Sequence, residues 1–145
     1  MKKLILIFFT LLTASILLGQ HSIQYSQSNI SIENDHLIIF LDTSKHLVIK
    51  TKEATTNTLG IDITVQSAAG KKGILEYLKK SGRYQLEVYA PPQLYSSVLR
   101  IKNKPLDVFI NGNKLREVVT YTLHIPKELD YEIRTSSQKE TLAIR

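Results

Sequence analysis

The period of the apolar residues limits this chain more than any other feature. Ile61, Ile63 and Val65 alternate with Asp62, Thr64 and Gln66, the two-residue period of a strand with one buried face. Ile30 and Ile32 alternate with Ser31 and Glu33 in the same way. The run Leu37-Ile38-Ile39-Phe40-Leu41 has no polar member, as in a strand buried on both faces. Asp42-Thr43-Ser44-Lys45 has turn chemistry, Leu47-Val48-Ile49 resumes a strand, and the Thr and Asn residues of 55–58 form a loop.

The second half continues the pattern with one interruption. Ile74, Leu75, Tyr77 and Leu78, followed by Lys79 and Lys80, suit one face of a short helix that Gly82 would cap. A hairpin turning at Ser81-Gly82 into residues 83–89 is the alternative. Pro91-Pro92 ends the strand that finishes at Tyr89-Ala90, because proline cannot donate to a sheet ladder. Further strands are predicted over 97–102, 117–125 and 130–135, with Val118, Tyr121, Leu123 and Ile133 as core residues. Asn111-Gly112 between apolar segments is the signature of a type I′ hairpin, pairing 106–110 with 113–118. Leu99-x-Ile101, then Lys104, Leu106, Asp107 and Ile110, is echoed by Leu123-x-Ile125, then Lys127, Leu129, Asp130 and Ile133. Residues 41–49 are a looser third copy. The expected fold is therefore mainly β, an antiparallel sandwich or a short β-solenoid-like domain, with at most one short helix.

Lys2 and Lys3 precede an apolar run over 4–18 broken by only a few small or hydroxylated residues, with Gly19 and Gln20 after it. This is the layout of a signal peptide, and the run is short for a membrane span, which needs roughly 20 residues. Residues 1–19 are read as the signal peptide and 20–145 as a single β-rich domain, with no stable membrane span after cleavage. The chain has no cysteine, so neither a disulfide nor lipoprotein acylation is available to it. Packing and sheet hydrogen bonds must hold the domain. A cysteine-free exported domain points to the periplasm or cell surface of a bacterium more than to a eukaryotic secretory route.

Removing Lys2 and Lys3 leaves seventeen basic residues against thirteen acidic, a net charge of +4. The denser basic groups are Lys71-Lys72 with Lys79-Lys80, and Arg100, Lys102 and Lys104. They are scattered and lack a nucleic-acid motif. The expected partner is an envelope protein or polysaccharide, contacted weakly, with no nucleic acid.

No catalytic constellation is written in the sequence. His21, His36, His46 and His124 are not at metal-ligand spacing, although Asp35 neighbours His36 and Asp42 lies near His46. There is no Gly-x-Ser-x-Gly elbow. Gly70-Lys71-Lys72-Gly73 lacks the spacing and the Ser or Thr of a phosphate loop. No enzyme, cofactor or metal is expected. Tyrosine offers a flat apolar face with a polar tip, which suits sugar and peptide surfaces. Six of the seven tyrosines lie in the second half, and Tyr84, Tyr89, Tyr95 and Tyr121 are the candidate binding residues. They motivate an alternative reading, an accessory carbohydrate-binding module.

The stretch Thr120-Tyr121-Thr122-Leu123-His124-Ile125-Pro126-Lys127-Glu128-Leu129-Asp130-Tyr131-Glu132-Ile133 resembles the bacterial adhesin-domain family. Members often carry a strand ending in an apolar-x-apolar-Pro-Lys step, then a strand of the kind leucine-aspartate-x-glutamate-isoleucine. The resemblance implies an exported β-rich protein of solenoid or sandwich form that binds or scaffolds, and no catalytic residues.

Overall fold

The computed structural model describes residues 20–41, 46–103 and 106–134. The signal peptide read over 1–19, the turn at 42–45 and Lys104 lie outside the described residues.

Strand β4 (Leu59–Ser67) turns the alternation into a sheet. Leu59, Ile61, Ile63 and Val65 are fully buried while Asp62 and Gln66 are exposed. Burying each such aliphatic side chain is worth about 1.5–3 kcal/mol relative to leaving it in water. β4 pairs antiparallel with β1 (His21–Ile30) on one side and with β9 (Val118–Pro126) on the other. β3 (Leu47–Ala54) lies parallel to β9 and completes a sheet of order β1-β4-β9-β3.

A second four-stranded sheet runs β10 (Asp130–Arg134), β2 (His36–Phe40), β6 (Ser97–Ile101), β5 (Leu86–Tyr89). The inward residues of both sheets meet in one core. Leu37, Ile39, Leu86 and Leu99 from the second sheet join Ile61, Ile63, Tyr121 and Leu123 from the first. The apolar run of β2 is buried on both faces, as its composition predicts. Leu37 and Ile39 enter the core, while Ile38 sits beside Val98 on the other face, both nearly inaccessible.

The mainly β fold forms, with a single short helix among the described residues, but the pairing is mixed rather than wholly antiparallel. β10, β2 and β6 are mutually parallel, as are β3 and β9, while β5 runs antiparallel to β6. The chain passes from β2 to β3 in the other sheet, and from β6 through β9 to β10. The second crossing returns β10 parallel to β6, on the far side of β2.

Helix α1 (Lys72–Lys80) buries Leu75 and Leu78 and packs against β1. Tyr77, expected on the same apolar face, points to solvent. The helix ends in a Schellman motif. The Gly82 N–H bonds to the Lys79 carbonyl at 3.0 Å and the Arg83 N–H to the Leu78 carbonyl at 3.2 Å. Gly82 takes φ +76°, which a residue without Cβ adopts freely.

The predicted hairpin exists in shortened form, β7 (Phe109–Ile110) against β8 (Asn113–Lys114), extended by a bond from the Leu115 N–H to the Val108 carbonyl at 2.7 Å. Asn111 and Gly112 have φ of 50° and 79°, the positive values of a type I′ turn. Val108 and Ile110 pack on the core, and Phe109 faces water.

Three other expectations need correction. Residues 31–33 form no strand. The strand precedes them as β1, which ends beyond a register shift where Asn29 takes φ 59°, the geometry of a bulge. Val118 lies on the outer face beside Gln66 and is exposed. Ile133 has the parity of the core residue Ile39, its sheet partner, yet it is exposed because β10 is an edge strand.

Candidate functional site

The four candidate tyrosines occupy three separate places. Tyr84 and Tyr121 are buried, and the Tyr121 hydroxyl donates to the Tyr84 carbonyl at 3.0 Å. Burial raises both phenols above their ordinary range, and the neighbouring Glu117 adds to the effect at each. Tyr89 lies on β5 with the Arg100 guanidinium 4.1 Å from its ring centre, a cation–π contact that occupies one ring face. Tyr95 is 97% exposed in the loop after Pro91-Pro92. These rings do not gather into one platform.

The polar centre of the interior was not foreseen. The Arg83 Nε donates to both Glu117 carboxylate oxygens at 3.2 Å, and Nη2 donates to Oε2 at 2.9 Å. The side chains are only 13% and 8% exposed. The Tyr84 hydroxyl donates to the same carboxylate, and Arg83 Nη1 donates to the Leu106 carbonyl. No buried side-chain nitrogen or oxygen among the described residues lacks a hydrogen-bond partner. The cluster ties the end of the helix turn to the segment before β9, a structural clamp.

Two acid–histidine groups lie on the outer faces. On the first sheet, Asp62 accepts from the Ser26 hydroxyl at 2.7 Å and lies 2.7 Å from His124 Nε2. The serine bond and then the histidine hold the Asp62 carboxyl below its ordinary value of 3.8. Serine and histidine thus share one carboxylate, and the serine donates to it. A nucleophilic triad needs the serine to donate to the histidine instead. On the second sheet, His36 lies 3.1 Å from Asp130 and 3.5 Å from Glu132. Arg134 also bonds to Glu132, and that bond, ahead of the one to His36, lowers the Glu132 carboxyl. Among the described residues no three His, Asp or Glu side chains converge closely enough to hold a metal ion.

The two ends of the sheet pair differ. At the β1–β5 end the Gln27 side chain bridges the sheets. Its amide donates to the Leu86 carbonyl at 3.2 Å, and its oxygen accepts the Leu86 N–H at 3.0 Å. The helix packs on β1 there, and Lys79 sits 4.9 Å from the centre of the Tyr25 ring, whose hydroxyl burial pushes up to about 12. This end is closed by side chains that mimic a further strand.

Among the described residues the β3–β10 end is open. A 3.4 Å hydrogen bond, from the Tyr131 hydroxyl to Thr51 Oγ1, crosses between the edge strands. A shallow groove of about 290 Å³ runs beside it, lined by Thr51, Lys52, Glu53, Ile125, Pro126, Lys127, Leu129 and Tyr131. It arises where β9 leaves its sheet. Pro126 ends the strand, a turn closes with the Leu129 N–H on the Pro126 carbonyl at 3.0 Å, and β10 begins in the other sheet. No ion pair holds Lys52, Glu53 or Lys127 among the described residues. Of the lining residues, Pro126 and Lys127 belong to the Ile125-Pro126-Lys127 step already visible in the sequence. Thr51, Lys52 and Glu53 carried no signal, because their part depends on β3 lying at the edge.

Comparison with protein-family models, with curated proteins and with solved structures found no match to this chain.

Proposed function

We propose that this chain is an exported bacterial envelope domain that acts by binding or scaffolding, as adhesin-like domains do, rather than by catalysis. The observation that carries the reading is the open β3–β10 end. A domain sealed at one end by a helix and Gln27 leaves inward-facing residues in water at the other. The groove beside them carries hydroxyl groups, cations and apolar surface from both sheets. Small exposed apolar patches rimmed by polar groups are typical of contact surfaces. The N-terminal apolar run supports export. No helix among the described residues is long and apolar enough to cross a membrane.

Fractionation of a bacterial host expressing the full chain tests the location. The reading expects a processed chain, beginning near Gln20, in the periplasm or at the surface. Intact precursor in the cytosol contradicts it. Binding is tested on isolated cell-wall polysaccharide and on envelope membranes. Tyr131→Ala with Lys127→Glu should lose retention, while Thr64→Ala, on the far outer face, should keep it. Equal retention of both variants removes the open end from the function.

A further inference from the structure

We propose that the open end takes a second copy of this chain, joined through β10 in a two-fold antiparallel pairing centred on Glu132. The inference rests on the reading of the open end as a docking surface and names its partner. Among the described residues four edge strands bound the two sheets, and three are managed. Helix α1 packs on β1, the Gln27 amide occupies the backbone of β5, and β3 carries Lys50 and Lys52 on its outward face. Edge lysines are a common guard against strand addition. β10, Asp-Tyr-Glu-Ile-Arg, has neither lysine nor proline, and its ladder with β2 runs without a bulge.

The backbone of β10 is set for the pairing. The Asp130 N–H bonds to the Asp35 carbonyl on the β2 side. By the alternation of a strand, Glu132 and Arg134 also face β2, and Tyr131 and Ile133 direct their N–H and C=O groups outward. With the two-fold axis at Glu132, Tyr131 stands opposite Ile133 of the second copy, and these two residues exchange both of their hydrogen bonds. Their side chains share the inward parity of Leu37 and Ile39 but remain 40% and 45% exposed. The pairing would cover them with each other. Asp130 stands opposite Arg134 of the second copy, so both ends of the ladder bring opposite charges together. The like charges at the axis are each already held by Arg134 and His36 of their own chain. An interface of five residues a side is smaller than a stable one, so association should be weak, with Kd between about 1 μM and about 1 mM.

Sedimentation equilibrium of the purified chain across that concentration range is the test. The mass should rise toward that of two copies. Asp130→Arg alone and Arg134→Asp alone should each stay monomeric, since each sets like charges opposite one another. An equimolar mixture of the two should regain the dimer, because the antiparallel register then sets the introduced arginine of one chain opposite the introduced aspartate of the other. Circular dichroism melts confirm that each variant folds. If either fails to, Ile133→Lys serves instead and should hold the chain monomeric. A wild-type chain that stays monomeric to the highest concentration overturns the proposal. So does a dimer that Ile133→Lys leaves intact, or a mixture of folded variants that does not reassociate. None of these outcomes bears on export, which fractionation decides separately.

Discussion

At the residue scale, breaking the Arg83–Glu117 pair carries a large penalty. Glu117→Ala would leave a nearly buried guanidinium without its counter-charge and take the acceptor from Tyr84. The loss should be about 3–5 kcal/mol, read as a shift of the urea midpoint. Replacing both partners by apolar residues of similar volume should cost less than Glu117→Ala alone, since no orphan charge remains. The exposed carboxylates act more weakly and with a definite sign. Asp62 and Glu132 have folded values below their ordinary ones, so the unfolded chain binds more protons as pH falls through the carboxylate range. Their contribution is complete above that range and is lost as pH drops below it. Thermal melts between about pH 6 and about pH 3 should show a falling midpoint, and Asp62→Asn with Glu132→Gln should flatten that fall.

At the level of the elements, the hairpin gives the cleanest test. Gly112 takes φ +79° with nothing near the position of an added Cβ, so the cost of Gly112→Val is conformational and not steric crowding. The midpoint should fall by roughly 1 kcal/mol or more, and an unchanged midpoint would mean that the turn does not need positive φ. This turn was legible because its chemistry is local: two adjacent residues fix it. The alternation in β4, the apolar run of β2 and the proline stop after Tyr89 were legible for the same reason. β1 was not. It is a polar edge strand whose only fully buried apolar residue is Ile23, so its period has too little contrast to read. The parallel pairing of β3 with β9 was also hidden, because register between distant segments depends on how the chain crosses between sheets. The candidate site was not legible as a site: Ile125, Pro126, Lys127, Leu129 and Tyr131 were visible only as part of the family-like stretch. Tyrosine composition pointed elsewhere, since a tyrosine pattern does not distinguish Tyr121 in the core from Tyr95 in a loop.

On the scale of the whole molecule, the two ends of the sheet pair are the organising asymmetry. One end closes on itself through Gln27 and α1. Among the described residues the other stops at β3 and β10 with unpaired strand edges and inward-facing side chains in water. Ile133 was expected in the core and has the parity for it, yet it is exposed because β10 is an edge strand among the described residues. The proposed binding role, the groove and the two-fold pairing all depend on that open edge. Residue-resolved amide hydrogen exchange on a dilute sample, below the range of self-association, measures it directly. The account predicts alternating protection along β10. The Glu132 amide, bonded within the sheet, should exchange slowly, and the Tyr131 and Ile133 amides should exchange far faster. Equal, strong protection at all three positions would contradict the account, because it would mean that the free chain already covers this edge.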